Sequence, residues 1–197
     1  MSAAAADICA AFADFFAAPL EAADIAALRA DGRLGGLAPL CDRPAGQRAR
    51  GVLAGLGEPE AAASDLNAAF CCLFLGAGGP DGNAPPYESA YSGSGRLFQE
   101  PAAEMAKLLA AHGLGLAEGC CEPADHLAIE LALLASLLAR PEPAAALVDR
   151  LLGWVPSFAA RCAACDATGF YAALAALLHA FLLDQATPTP CEREIPS

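Results

Sequence analysis

The chain of 197 residues reads as an all-α protein, a helical bundle of about ten helices, and three features of the sequence predict this. Hydrophobic residues make up 56% of it, and many are alanine, the strongest helix former, which adds little buried area per residue. Valine and isoleucine, residues favoured in strands, are scarce, and no stretch alternates apolar and polar residues for more than a few positions. Apolar residues recur instead at spacings of three and four in one segment after another.

The first of these is 3–18, where Ile8, Phe12, Phe15 and Phe16 keep helical spacing and Pro19 stands where a helix must stop. A second helix fits 21–30 before Asp31 and Gly32 break the pattern, and a third fits 45–56 with Arg48 and Arg50 near its start. From Ser64 to Leu75 the pattern is strongest. Leu66, Ala69, Phe70, Leu73 and Phe74 fall at i, i+3, i+4, i+7 and i+8, and Ser64 or Asp65 is expected to cap the helix. Residues 76–95, rich in Gly, Pro, Ser and Asn, are too long and too punctuated for an ordinary helix connection. Pro86, Tyr87 and Tyr91 within them argue against plain disorder. Further helices are expected over 96–112, 123–140, from Pro143 to Leu152, and 168–184. The expected organisation is an N-terminal helical subdomain 1–113 that includes the 76–95 loop, a Gly-rich hinge 114–122, a C-terminal helical subdomain 123–185, and a flexible tail 186–197.

Composition narrows the function classes. A membrane-spanning helix needs about 20 consecutive apolar residues. The apolar stretch 127–139 is interrupted by Glu130, and 172–183 is short and carries His179, so no membrane insertion is expected. The N-terminus lacks a basic region and Asp7 interrupts it, which points to a cytoplasmic protein without a secretory leader. Nine cysteines, an odd count in a chain of this size, are expected to be reduced thiols. The formal net charge is -12, and acidic residues outnumber basic ones thirteen to three between residues 51 and 149. Such a field repels phosphate backbones and attracts cationic partners, so no nucleic acid is expected as a ligand. There is no GxSxG, HExxH or phosphate loop, and His112, His126 and His179 are scattered, so no catalytic residues are assigned and the chain is not expected to be an enzyme.

The richest stretch is EPADHLAIEL, residues 122–131. Pro123 suits the first turn of a helix, which would place Glu122 near its N-cap and Asp125 at about the third position. Glu122, His126 and Glu130 would then lie four residues apart on one helical stripe flanked by Asp125. The stripe offers carboxylates in fixed geometry to a guanidinium group, with His126 able to orient a carboxylate or donate to a peptide carbonyl. An acidic helix start with a satisfied histidine accounts for the same residues without a ligand. His126 with Glu130, or Cys162 with Cys165, is too little for a zinc site, so neither metal nor cofactor is expected.

EPADHLAIEL resembles the signature of the TorD/DmsD family of redox-enzyme maturation chaperones. PPYESAY, residues 85–91, resembles the proline-aromatic-x-Ser-x-aromatic segment of that family. The helix LNAAFCCLFLG, the start GRLFQEPA at Gly95, Trp154 and FYAALAALLHAFL follow in the family's order, so that the likeness spans about residues 60–185. The resemblance implies an all-helical chaperone that binds the twin-arginine leader and the apo form of a molybdopterin-dependent reductase, assists cofactor insertion and delays export. It implies peptide contacts at Asp125 and His126, supported by Glu122 and Pro123, and the spacing of the acidic stripe adds Glu130 to the candidate peptide-binding residues. Pro86, Tyr87, Ser89 and Tyr91 would form or brace a groove, with Leu73 and Phe74 offering apolar surface; for the last two, a place in the core is the stronger reading. Tyr87 stands where some relatives have tryptophan. Two other classes remain open, a generic acidic helical adaptor and a thiol or metal-binding protein. The hinge is compatible with a monomer or a domain-swapped homodimer.

Overall fold

A computed structural model describes residues 3–92, 99–116, 119–140 and 143–186. Among them are α1 (Ala3–Ala17), α2 (Ala22–Asp31), a 3-10 helix (Gly35–Leu40), α3 (Pro44–Gly55), α4 (Pro59–Phe74), α5 (Gly79–Gly82), α6 (Glu88–Tyr91), α7 (Glu100–Ala111), α8 (Leu127–Leu138), α9 (Ala145–Leu152), α10 (Val155–Cys165) and α11 (Phe170–Gln185). The described residues contain no strand, only one isolated bridge, and the fold is the expected all-α bundle. The expected tail falls almost wholly outside the described residues, as do Pro141, residues 96–98 and residues 93–95 of the long loop.

Local chemistry sets most boundaries. α2 opens on a capping box between Glu21 and Asp24 and stops at Gly32, whose φ of 63° places it in the left-handed region that glycine tolerates. α4 begins at Pro59, five residues before the expected cap at Ser64. Proline at the first turn followed by Glu60 and three alanines already favours helix, and Ser64 and Asp65 are exposed interior positions. Conversely α7 opens at Glu100 beside Pro101, and the last helix begins at Phe170, two residues beyond the expected Thr168. Thr168 and Asp166 instead organise the turn before it, Asp166 accepting from the amides of Thr168 and Ala172.

α8 and α11 are apolar almost all round, as expected of helices enclosed by others. α1 lies along α8, and α11 is packed by α3, α9 and α10. Phe12 on α1 meets Phe181 on α11, with ring centroids 6.0 Å apart, and Phe16 meets both Phe74 on α4 and Phe158 on α10, at 5.8 and 5.6 Å. α3 meets the 3-10 helix so closely that a Cβ on Gly46 would lie 2.5 Å from the Leu40 carbonyl oxygen, so only glycine fits. Arg29 of α2 donates to three carbonyls at the end of α3, those of Leu53, Leu56 and Gly57, at 2.8 to 3.0 Å, which satisfies acceptors the helix cannot satisfy itself. No helix among the described residues is long and apolar enough to cross a membrane.

Candidate functional site

The two motifs are fastened to each other. The Leu127 amide donates to the Pro86 carbonyl at 2.8 Å and the Glu88 amide to the Asp125 carbonyl at 3.0 Å, making an antiparallel bridge between Tyr87 and His126. The Ser89 amide donates to Asp125 Oδ2 at 2.9 Å, so the carboxylate sits at the first turn of α6, where amides have no partner within the helix. Tyr87 donates its hydroxyl proton to Glu122 Oε2 at 2.6 Å, and its ring stands edge-on to His126, centroids 5.0 Å apart.

This pairing overturns the expected single helix from Pro123. α8 starts at Leu127, and its N-cap is His126, in extended conformation, whose Nδ1 accepts from the Ala128 amide at 3.1 Å. A helix from Pro123 would use the Asp125 carbonyl and the Leu127 amide internally, but here they bond Glu88 and Pro86, so the helix does not reach back to Pro123. Glu122 therefore lies outside the helix and exposed, and the stripe of Glu122, His126 and Glu130 does not form. Pro123 is buried.

Burial distinguishes the site from the rest of the molecule. Among the described residues the buried polar or charged side chains are Ser89, Asp125, His126 and Glu130, all four within the two motifs. Glu130, fully enclosed on the first turn of α8, accepts from Trp154 Nε1 at 3.3 Å. Burial, with help from nearby Glu88, pushes its carboxyl well above the ordinary value of 4.5. Burial lowers His126 below its ordinary 6.5 against the pull of Glu122 and Asp125. A neutral imidazole that accepts at Nδ1 carries its proton on Nε2, so His126 can donate there. Asp125 Oδ1, Glu130 Oε1, Ser89 Oγ and Tyr91 OH are enclosed and take no hydrogen bond from the described residues.

A second layer, which sequence reasoning missed, braces the first. Arg150 on α9 donates from Nε to Glu88 at 2.8 Å, from NH1 to Glu104 at 3.0 Å and from NH2 to the Pro101 carbonyl at 3.1 Å. Burial raises Glu88 while Arg150 opposes the shift. Tyr91 stacks on Trp154, centroids 5.7 Å apart and planes 19° apart. The one available signal was an arginine inside an acidic chain, and nothing in the sequence pairs it with Glu88, 62 residues away. Leu73 and Phe74 take the core position: they are 1% and 4% exposed, with Phe74 ringed by Phe16, Phe70, Phe158 and Tyr171.

Trp154 is the only tryptophan and touches both the loop, through Tyr91, and the helix start, through Glu130. Its emission is expected to shift in Tyr91→Leu, which removes the stacked ring. An emission spectrum identical to wild type would contradict the stacking.

Eight of the nine cysteines lie among the described residues, and all eight are free thiols. Burial pushes Cys9 to about 12 and raises Cys162, which makes both poor nucleophiles. Cys162 and Cys165 lie on one face of α10, the first buried and the second half-buried. Among the described residues no group of three or more His, Cys, Asp or Glu side chains is placed to hold a metal ion.

Fold and site together define the class: an all-α bundle in which two motifs, distant in sequence, join around enclosed polar side chains. Residues 39–160 match the family described as nitrate reductase delta subunit. The chain is 39% identical over 132 residues to the chaperone protein TorD of Vibrio cholerae serotype O1, an alignment covering 60% of this chain and 59% of that one. It is 36% identical over 167 residues to TorD of Vibrio parahaemolyticus, covering 67% and 77%, and 39% identical over 137 residues to TorD of Photobacterium profundum, covering 62% of each. The chain thus spans about three fifths of the first relative's length. No solved structure matches. The chain belongs to the nitrate reductase delta subunit family, that of the TorD-type chaperones, which are not enzymes.

Proposed function

We propose that the chain is a cytoplasmic, system-specific chaperone that binds the twin-arginine leader and apo form of a molybdopterin-dependent reductase, assists cofactor insertion and withholds the client from export until it is loaded. The observation that carries this reading is that the buried polar or charged residues among the described ones, Ser89, Asp125, His126 and Glu130, all belong to the joined motifs. Burying polar groups costs stability unless they are hydrogen-bonded, and here the joined motifs, in the acidic middle of the chain, hold carboxylate and hydroxyl oxygens without a partner among the described residues.

The leader's arginine pair would meet exposed Glu122 first, then the uncommitted Oδ1 of Asp125 once the 86–89 segment shifts. His126 would donate from Nε2 to a peptide carbonyl, and because it is neutral it does not repel the arginines. Tyr87, half-buried above His126, would cover the apolar part of the leader. Exposed ion pairs contribute under about 1 kcal/mol each, so apolar contact and desolvated carboxylates must supply most of the affinity, while charge speeds the encounter. The connection 114–122 would let the two subdomains of one protomer adjust, or exchange between protomers.

Calorimetric titration with a synthetic twin-arginine leader tests the proposal. Asp125→Asn keeps an acceptor for the Ser89 amide, so it is expected to stay folded yet bind at least about tenfold more weakly, a loss of about 1.4 kcal/mol. Unchanged affinity in Asp125→Asn and His126→Ala, with helicity intact, would remove both from the site. Equal binding of a leader with both arginines replaced by glutamine would favour a generic acidic adaptor.

A further inference from the structure

The guanidinium of Arg150 uses its donors on two separate stretches of chain. Glu88 belongs to the loop that carries Tyr87 and Ser89, and it receives Nε at 2.8 Å and NH2 at 2.5 Å. Pro101 and Glu104 belong to α7, and they receive NH2 at 3.1 Å and NH1 at 3.0 Å. One side chain from α9 therefore holds both the α6 turn and the start of α7. The Glu88 and Arg150 side chains are only 12% and 19% exposed, so water screens their contact little, whereas Glu104 is 51% exposed. Glu88 itself helps join the motifs: its own amide and that of the adjacent Ser89 bond Asp125.

A planar fork of five donors can meet a carboxylate, a second carboxylate and a carbonyl at once. An ammonium has the same charge but cannot span those acceptors from one point. An arginine at this position therefore acts through geometry as well as charge.

We propose that Arg150 is a positioning residue for leader recognition, its guanidinium fixing α6 against α7 and thereby holding the Pro86–Tyr91 loop in register with Asp125 and His126. This rests on the leader-binding reading above. Arg150 touches no ligand in this role; it sets where Tyr87 and Asp125 stand when the ligand arrives.

The test compares the wild-type chain with Arg150→Lys and Glu104→Gln in two measurements. In the first, a synthetic twin-arginine leader is titrated and its association and dissociation rates are followed. Arg150→Lys keeps the charge, so association and its salt dependence should stay within twofold of wild type while dissociation accelerates at least tenfold; Glu104→Gln, which keeps an acceptor for NH1 but removes the charge of one half-exposed partner, should show a smaller acceleration. A purely structural role would lower the melting temperature and leave dissociation well below it unchanged, and dissociation within twofold of wild type in Arg150→Lys overturns the proposal. The second measurement needs no peptide. Hydrogen exchange at the Glu88 and Ser89 amides should quicken at least tenfold in Arg150→Lys, with the Leu131 and Leu174 amides of the core unchanged. If those two site amides stay as protected as in wild type, Arg150 does not position the loop. Should Arg150→Lys unfold as a whole, Glu104→Gln decides by the same two readouts. Failure of the wild-type chain to bind the leader sinks the leader reading alone, because the exchange arm still reports on Arg150.

Discussion

Phe74→Ala is expected to lower the unfolding free energy by about 3–5 kcal/mol, the range for removing a large aromatic side chain from a closed core. Phe74 is 4% exposed and lies within 5.0 to 6.0 Å, centroid to centroid, of Phe70 on its own helix, Phe16 on α1, Phe158 on α10 and Tyr171 on α11. Four helices meet at this ring, and a methyl group in its place cannot be compensated by one neighbour moving inward. Whole domains are commonly stable by only about 5–15 kcal/mol, so the loss takes a large share of what holds the bundle together. Urea unfolding should show a lower midpoint with unchanged slope. The leader resemblance pointed to a binding surface at the same residue, and the two roles separate cleanly. A surface contact would cost under about 1 kcal/mol of stability and weaken the leader. A core residue costs stability and leaves the affinity of the folded fraction intact.

Helix spacing made most of the bundle legible in the sequence, because the 3.6-residue repeat is a local property and the apolar surrounds of α8 and α11 announce enclosure without any partner being known. Both motifs were legible as strings of residues. Their junction was not. Pro86 to Ser89 and Asp125 to Leu127 meet through a two-residue bridge that has no repeat and no turn between its halves. Local propensity therefore favoured continuing α8 back to Pro123, whereas the competing backbone bonds from a distant loop stop it at His126. The same reason hid Arg150, whose partners on α6 and α7 come from other parts of the chain. The helix-stripe geometry that drew attention to Asp125 and His126 is not in the fold; their enclosure comes from the loop laid across them.

Glu130→Gln is expected to stabilise the protein at neutral pH, and the gain should depend on pH in one direction. The Glu130 carboxyl is enclosed, one oxygen accepting from Trp154 and the other taking no hydrogen bond from the described residues, with Glu88 and Asp125 near it and only Arg150 and the Trp154 hydrogen bond opposing the upward shift. Burial therefore holds it protonated in the folded chain well above the 4.5 at which the unfolded chain releases its proton. Below that value both states carry the proton and the carboxyl costs the fold nothing extra. As pH rises beyond it, the unfolded chain gains by ionising and the folded chain does not, so stability falls by up to about 1.4 kcal/mol per pH unit until the folded carboxyl also ionises. Glutamine keeps an oxygen for Trp154 and has no proton to lose. The variant should match wild type near pH 4 and exceed it by more than about 1 kcal/mol at pH 7. His126 bends the curve the other way: lowered from 6.5 in the fold, it withdraws stability as pH falls below that value, in wild type and variant alike. Urea midpoints measured from pH 4 to 8 separate the two effects. Parallel curves over that range would mean that Glu130 ionises in the fold as readily as in the open chain, and the enclosed carboxyl would then need a charge partner that Arg150, already committed to Glu88 and Glu104, does not supply.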